Sequence, residues 1–249
     1  MKIFFCLLVF FVAIASPIHA EDDSGFYAVI LNGEGRNFPP FSLFEEYSIN
    51  EFRYSSQKGS ALIENICKAK LLYVGQYSES FLTITNNKIL CEAVKNLLKK
   101  GGCIFFDFSS TSKSYDTFLN EVGVNNPAGS FSDGYYNSVI LPENTGMKIF
   151  NIPNKISGTF KCYGWWETWT DKQIAALRDF AKPENRAAMI IQENVLGKGR
   201  IIFNQYPEIF RNPIPLTENI LSYIYGIDLK EYKKSKILEN GGPGELIAY

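Results

Sequence analysis

Between Leu90 and Phe108 the chain changes period abruptly, and that change limits the folds open to it. Leu90, Ala93, Val94, Leu97 and Leu98 recur at i, i+3, i+4, i+7 and i+8, the spacing of one helical face. Thr85 reads as the N-cap of this helix, Lys99 and Lys100 suit the negative end of its dipole, and Gly101 supplies the stop. After Gly102 comes CIFFDF (Cys103–Phe108), an apolar run with no polar alternation. A strand of that kind is covered on both faces, as central strands of parallel sheets are.

The same alternation extends in both directions. FYAVILN (Phe26–Asn32) and LLYVGQY (Leu71–Tyr77) read as buried strands, FRYSS near Phe52 as a weaker one, and ALIENICKA as a helix facing inward through Leu62, Ile63 and Ile66. Tyr115, Phe118, Leu119 and Val122 mark another short helix, which stops at Gly123. From 124 to 163 the periodicity fades into an insertion rich in loops. A helix is expected from Asp171 to Ala181, with Thr170 and Gln173 spaced as a capping box and Trp169 stapling onto Ile174. AAMIIQENV and GRIIFNQY then form a late β-hairpin about Leu196-Gly197-Lys198-Gly199, and a last helix runs from Leu216 to Tyr225, ending at Gly226. The predicted class is α/β: a flavodoxin-like, open, mostly parallel sheet with helices on both faces. One domain spans 21–230, and residues 231–249 are expected to be a flexible tail.

The first twenty residues carry Lys2, an apolar run from Ile3 to Ala15, Pro17 and then Ala20, the order of a secretory signal peptide. The run is shorter than the roughly 20 residues a membrane span needs, so cleavage after Ala20 is expected, with no span afterwards. The expected location is secreted or periplasmic. The periplasm is favoured because no Asn-x-Ser/Thr acceptor follows residue 20. Cleavage would remove His19, the one histidine, and with Lys2 lost the formal net charge moves from −1 to −2. A near-neutral chain without a basic cluster is not a nucleic-acid binder. Cys67, Cys91, Cys103 and Cys162 match no metal-ligand spacing; they are left as disulfide partners or buried thiols, and no metal or cofactor is expected.

The run of LLYVGQY, a helix ending LLKKGG, CIFFDF, ENVLGKGRIIFNQ and NILSYIYG resembles the class I glutamine amidotransferase-like superfamily. Its trehalose-utilisation-type and related extracytoplasmic branches are the nearest. The resemblance covers Phe26 to Gly226 and implies a cysteine nucleophile on a sharp turn after a central strand, served by a histidine and an acid. The comparable turn here is Asp107-Phe108-Ser109-Ser110. It has no cysteine, Cys103 lies at the other end of that strand, and the histidine is missing, so amidotransferase chemistry is not expected.

Ligands of open α/β sheets bind beyond the carboxyl ends of the strands. That rule selects Glu34, Arg36, Gln76, Glu79, Asp107 and Ser109 as candidate contacts. Trp165 and Trp166 join them, because adjacent residues of an extended chain face opposite ways and one of the two rings should be exposed. The favoured reading is a non-catalytic domain binding a small molecule or carbohydrate. A carboxylate-dependent glycan hydrolase and an envelope interaction module are the alternatives. Gly197-Lys198-Gly199-Arg200 lacks phosphate-loop spacing and reads as a hairpin turn. Oligomeric state is left open.

Overall fold

The structure is a computed structural model and describes residues 26–31, 42–54, 61–75, 79–107, 115–205 and 214–239. The expected signal segment and the candidates Glu34, Arg36, Gln76 and Ser109 lie outside the described residues. The strands are β1 Tyr27–Leu31, β2 Asn50–Arg53, β3 Leu71–Val74, β4 Cys103–Asp107, β5 Gly129–Val139, β6 Thr159–Trp166, β7 Ile174–Asp179, β8 Ala187–Val195 and β9 Gly199–Asn204. The helices are α1 Ser42–Glu46, α2 Leu62–Lys68, α3 Glu79–Asn86, α4 Lys88–Lys99, α5 Asp116–Glu121, α6 Pro215–Tyr225 and α7 Leu229–Glu239.

The expectation of an open, mostly parallel sheet is overturned. The strand order is β2-β1-β3-β4-β9-β8-β6-β5-β7, and β7 also pairs with β8. The pairs among β2, β1, β3, β4 and β9 are parallel, whereas every pair involving β5, β6, β7 or β8 is antiparallel. The sheet is therefore mixed, and β8, β6, β5 and β7 close on themselves as a four-stranded barrel. The physical reason lies in segments whose local pattern is ambiguous. IAALRD was expected to be helical, yet it is β7, pairing Ile174 with Ile191 on β8 and Val139 of β5 with Arg178. Ile174 and Phe180 are 37% and 70% exposed.

The capping box half-forms: the backbone N–H of Thr170 donates to Gln173 Oε1 at 3.0 Å, but the turn it closes leads into a strand. Trp169 is partly buried and has the Arg178 guanidinium 4.9 Å from its ring centre.

In the parallel half, strand alternation sends side chains to two cores. Cys103 and Phe105 join α1 and α6 on one face, while Ile104 and Phe106 join α2, α3, α4 and α5 on the other. On α4, Leu90, Ala93, Val94, Leu97 and Leu98 are all buried. Its N-cap is Asn87 rather than Thr85: Asn87 Oδ1 accepts from the N–H groups of Ile89 and Leu90 at 3.0 and 3.3 Å. Thr85 instead donates to the Leu82 carbonyl at 3.0 Å, within α3.

The two glycines that follow α4 do different things. Gly101 takes φ +85°, and a Cβ on Gly102 would lie 2.6 Å from the Leu97 side chain. Residues 231–239 belong to α7. Asp228 Oδ1 accepts from the N–H groups of Lys230 and Glu231 at 2.9 and 3.1 Å, Leu229 is fully buried, and Tyr232 stacks on Phe26 at 4.4 Å. No helix among the described residues is long and apolar enough to cross a membrane.

Candidate functional site at the carboxyl ends of the parallel strands

Asp107 ends β4, and its Cα pairs with that of Asn204 at the end of β9. Its side chain is 5% exposed. The Tyr73 hydroxyl donates to one carboxylate oxygen at 2.5 Å, and the Asn204 amide donates to the other at 2.7 Å. A buried carboxylate needs such partners, because without them desolvation would exceed any local gain. Tyr73, Asp107 and Asn204 thus tie three neighbouring strands together where a ligand of an open sheet would sit.

Backbone bonds carry this edge on to the barrel. The Gln205 N–H donates to the Ala188 carbonyl at 2.8 Å, the Tyr163 N–H to the Gln205 carbonyl at 3.4 Å, and Trp166 pairs with Ala187. Asp107 and the tryptophans therefore lie along one continuous rim of backbone pairing. β9 and β8 lie between Asp107 on β4 and the tryptophans on β6; Glu79 opens α3, with its side chain outside the described residues.

The period-2 alternation on β6 separates the two tryptophans. Cys162, Gly164 and Trp166 are buried, while Tyr163 and Trp165 between them are half-buried. Trp166 has no accessible surface and packs edge-on against Phe203 at 5.8 Å, so it is core and its candidacy as a ligand contact is withdrawn. Trp165 is the outward ring. The Arg186 guanidinium sits 4.0 Å from the Trp165 ring centre, held by a 3.3 Å ion pair to Asp179. Trp165 Nε1 donates to Glu167 Oε1 at 2.8 Å, and Tyr136 meets the ring edge-on at 5.8 Å. Tyr163 is joined by Tyr135, 66% exposed, with ring centres 5.6 Å apart.

Sequence reading missed Tyr73, Tyr135, Tyr163, Arg186 and Asn204. Local signals exist for two of them: Tyr163 stands in the aromatic run YGWWETW, and the polar pair Asn204-Gln205 ends an apolar strand.

The thiols of Cys91, Cys103 and Cys162 are poor nucleophiles where they lie. Cys103 is fully buried at the amino end of β4, and burial pushes its thiol up to about 12 despite the nearby charges of Arg200 and Lys70. Burial likewise takes Cys162 to about 12, and burial together with the hydrogen bond to Glu121 takes Cys91 to about 11. All four cysteines from Cys67 to Cys162 are free thiols. Among the described residues no cluster of three His, Cys, Asp or Glu groups could hold a metal ion. The Gly197 turn has φ +106° and joins two antiparallel strands, as a hairpin requires.

No family model matches the chain, and no curated protein matches it by sequence. Solved structures do resemble it in fold. A cytoplasmic protein from Salmonella typhimurium LT2 aligns with TM-score 0.53 at 9% identity, over 81% of this chain and 99% of its own. A protein from Bacteroides uniformis described as ThuA-like aligns at 0.50 and 11% identity, over 85% and 92%. A Thermoplasma acidophilum protein described as part of a GMP synthase aligns at 0.50 and 7%, over 85% and 97%. At these identities the likeness is one of fold alone. The architecture shared with those structures is built here with a mixed sheet and a closed antiparallel end.

Proposed function

We propose that this chain is a non-catalytic amidotransferase-like domain that binds a carbohydrate or other polyol on the face of β5 and β6. The observation that carries this reading is the outward aromatic row of Tyr135, Tyr163 and Trp165, with Glu167 at the indole N–H and Arg186 stacked over one face of the Trp165 ring. The C–H face of a sugar is apolar and its hydroxyls are polar. A flat ring flanked by a carboxylate and a guanidinium therefore satisfies both. Arg186 and Glu167 hold the Trp165 ring, so little side-chain freedom is lost when a ligand settles on it. The absence of turnover is supported by Asp107, whose two oxygens are committed to Tyr73 and Asn204. A glycosidase acid needs a carboxyl group that faces its substrate.

Glycan-array screening followed by calorimetric titration tests the reading. Trp165→Ala is expected to weaken binding of the best glycan at least tenfold, equivalent to about 1.4 kcal/mol, with unchanged thermal stability. Glycan binding that survives this substitution, or hydrolysis of the bound glycan, would sink the proposal. The proposed setting is extracytoplasmic, supported by the Lys2 to Ala20 segment. Amino-terminal sequencing of the protein recovered from its native host should start at Glu21; a retained Met1 would rule out this setting.

A further inference from the structure

A cavity of about 670 Å³ lies at the opposite end of β9 from Asn204, and its walls include Arg200, Glu193 and Tyr223. β9 runs from Gly199 to Asn204, so Arg200 and the Asp107 cluster are roughly 13 Å apart at the usual strand rise. The volume falls within the range of about 300–1,000 Å³ typical of small-molecule sites.

Two opposite charges are anchored on one tyrosine in this cavity without meeting each other. The Arg200 guanidinium lies 4.8 Å from the Tyr223 ring centre, and its Nη1 donates to the Tyr223 and Ile224 carbonyls at 2.9 and 3.4 Å. Those carbonyls belong to the last turn of α6, whose negative dipole end helps to hold the cation. The bonds occupy Nη1 alone; Nε and Nη2 have no protein partner among the described residues. On the other side, the Tyr223 hydroxyl donates to Glu193 Oε1, while Glu193 Oε2 has no partner among the described residues. Lys148 also lines the cavity, and its ammonium group forms no ion pair or hydrogen bond among the described residues.

A guanidinium with an open N–H edge is a fork for a carboxylate, and a carboxylate fixed by one oxygen is an acceptor for an ammonium group. Ile152 and Ile174 line the same cavity, each 37% exposed although the surface is concave. Apolar surface left wet in a concavity favours an apolar occupant.

We infer that this cavity binds an aliphatic zwitterion, a free amino acid or short peptide with an apolar side chain. Its carboxylate faces Arg200 and Lys148, its ammonium faces Glu193, and its side chain lies on Ile152 and Ile174. Pinning both charges to Tyr223 and to the end of α6 sets them before the ligand arrives, which limits the ordering cost of binding.

Titration calorimetry with L-leucine and L-leucyl-L-leucine tests this and separates the two sizes of ligand. Saturable binding of either is expected, with N-acetyl-leucyl-leucine and leucyl-leucine amide at least tenfold weaker than the free dipeptide if the dipeptide is the ligand. If leucine is the ligand, N-acetyl-leucine and leucine amide take their place in the comparison. Glu193→Gln, which keeps an oxygen for the Tyr223 hydroxyl, should weaken binding at least tenfold at unchanged melting temperature, as should Lys148→Glu. Arg200 also holds α6, so a variant there is read only if its circular dichroism matches the parent. No heat from either free zwitterion up to millimolar concentration would overturn the inference. So would capped ligands that bind as well as free ones, or a Glu193→Gln protein that binds normally.

Discussion

Trp166→Ala is expected to destabilise the protein by about 3–5 kcal/mol, the range for deleting a large buried aromatic side chain. Trp166 has no exposed surface and lies where the barrel meets the parallel sheet, against Phe203 of β9. Its removal opens a cavity in a core shared by β4, β8 and β9, whose strands are already paired on both sides and cannot readily collapse into it. For a chain of this length the corresponding fall in melting temperature is on the order of 10 °C. Trp166→Phe isolates the cause. It keeps most of the packing and removes an indole N–H that is buried without a hydrogen-bond partner. Its expected cost is below about 1.5 kcal/mol. Chemical denaturation of both variants checks this; an alanine variant as stable as the parent would remove Trp166 from the core. The contrast with Trp165→Ala, which should cost ligand rather than stability, follows from one residue of strand register.

The second large effect is expected at Asp107. Asp107→Ala deletes the acceptor of two buried donors, the Tyr73 hydroxyl and the Asn204 amide. Leaving buried donors without that acceptor costs about 1–3 kcal/mol each, so a loss of about 2–6 kcal/mol is expected. Adding Tyr73→Phe to that variant removes one of the stranded donors. The double variant should therefore be more stable than the sum of the two single losses implies, with a coupling energy of at least about 1 kcal/mol in a double-mutant cycle. Additive losses would show that the 2.5 Å contact contributes nothing to folding. Loss of ligand binding without loss of stability would instead make Asp107 a ligand contact.

How far the residues alone reached depends on where each signal lies. The α4 face, the Gly101 stop, β4 and the β8–β9 hairpin were legible because each is settled by near neighbours in the chain. Helical period, positive φ at glycine and an unbroken apolar run are local facts. The α4 cap was misplaced by two residues, since Thr85 and Asn87 are both suitable cap types and only the extent of the preceding α3 decides between them. The site was legible only in part. Asp107 stood out as an acid at a strand end, and adjacency required Trp165 and Trp166 to face apart. Which of the two faces outward depends on register against β5 and β8.

IAALRD shows most directly where local reading stops. Six residues with four apolar side chains suit either a helix or a strand, and the Thr170–Gln173 turn can open either. The choice is made by partners distant in sequence, β5 and β8, whose free edges take β7 into the ladder and close the barrel. Alternation of strand and helix along the chain dictates the parallel set β1 to β4, because these strands follow one another through helices that must cross over, whereas β9 joins β4 only after the antiparallel end has formed its hairpin. Closure of the other half, the aromatic face on β6 and the paired charges on Tyr223 come from contacts between segments far apart in the chain. Their pairing energy is invisible to any short window, and it outweighs local preferences that are nearly balanced between helix and strand.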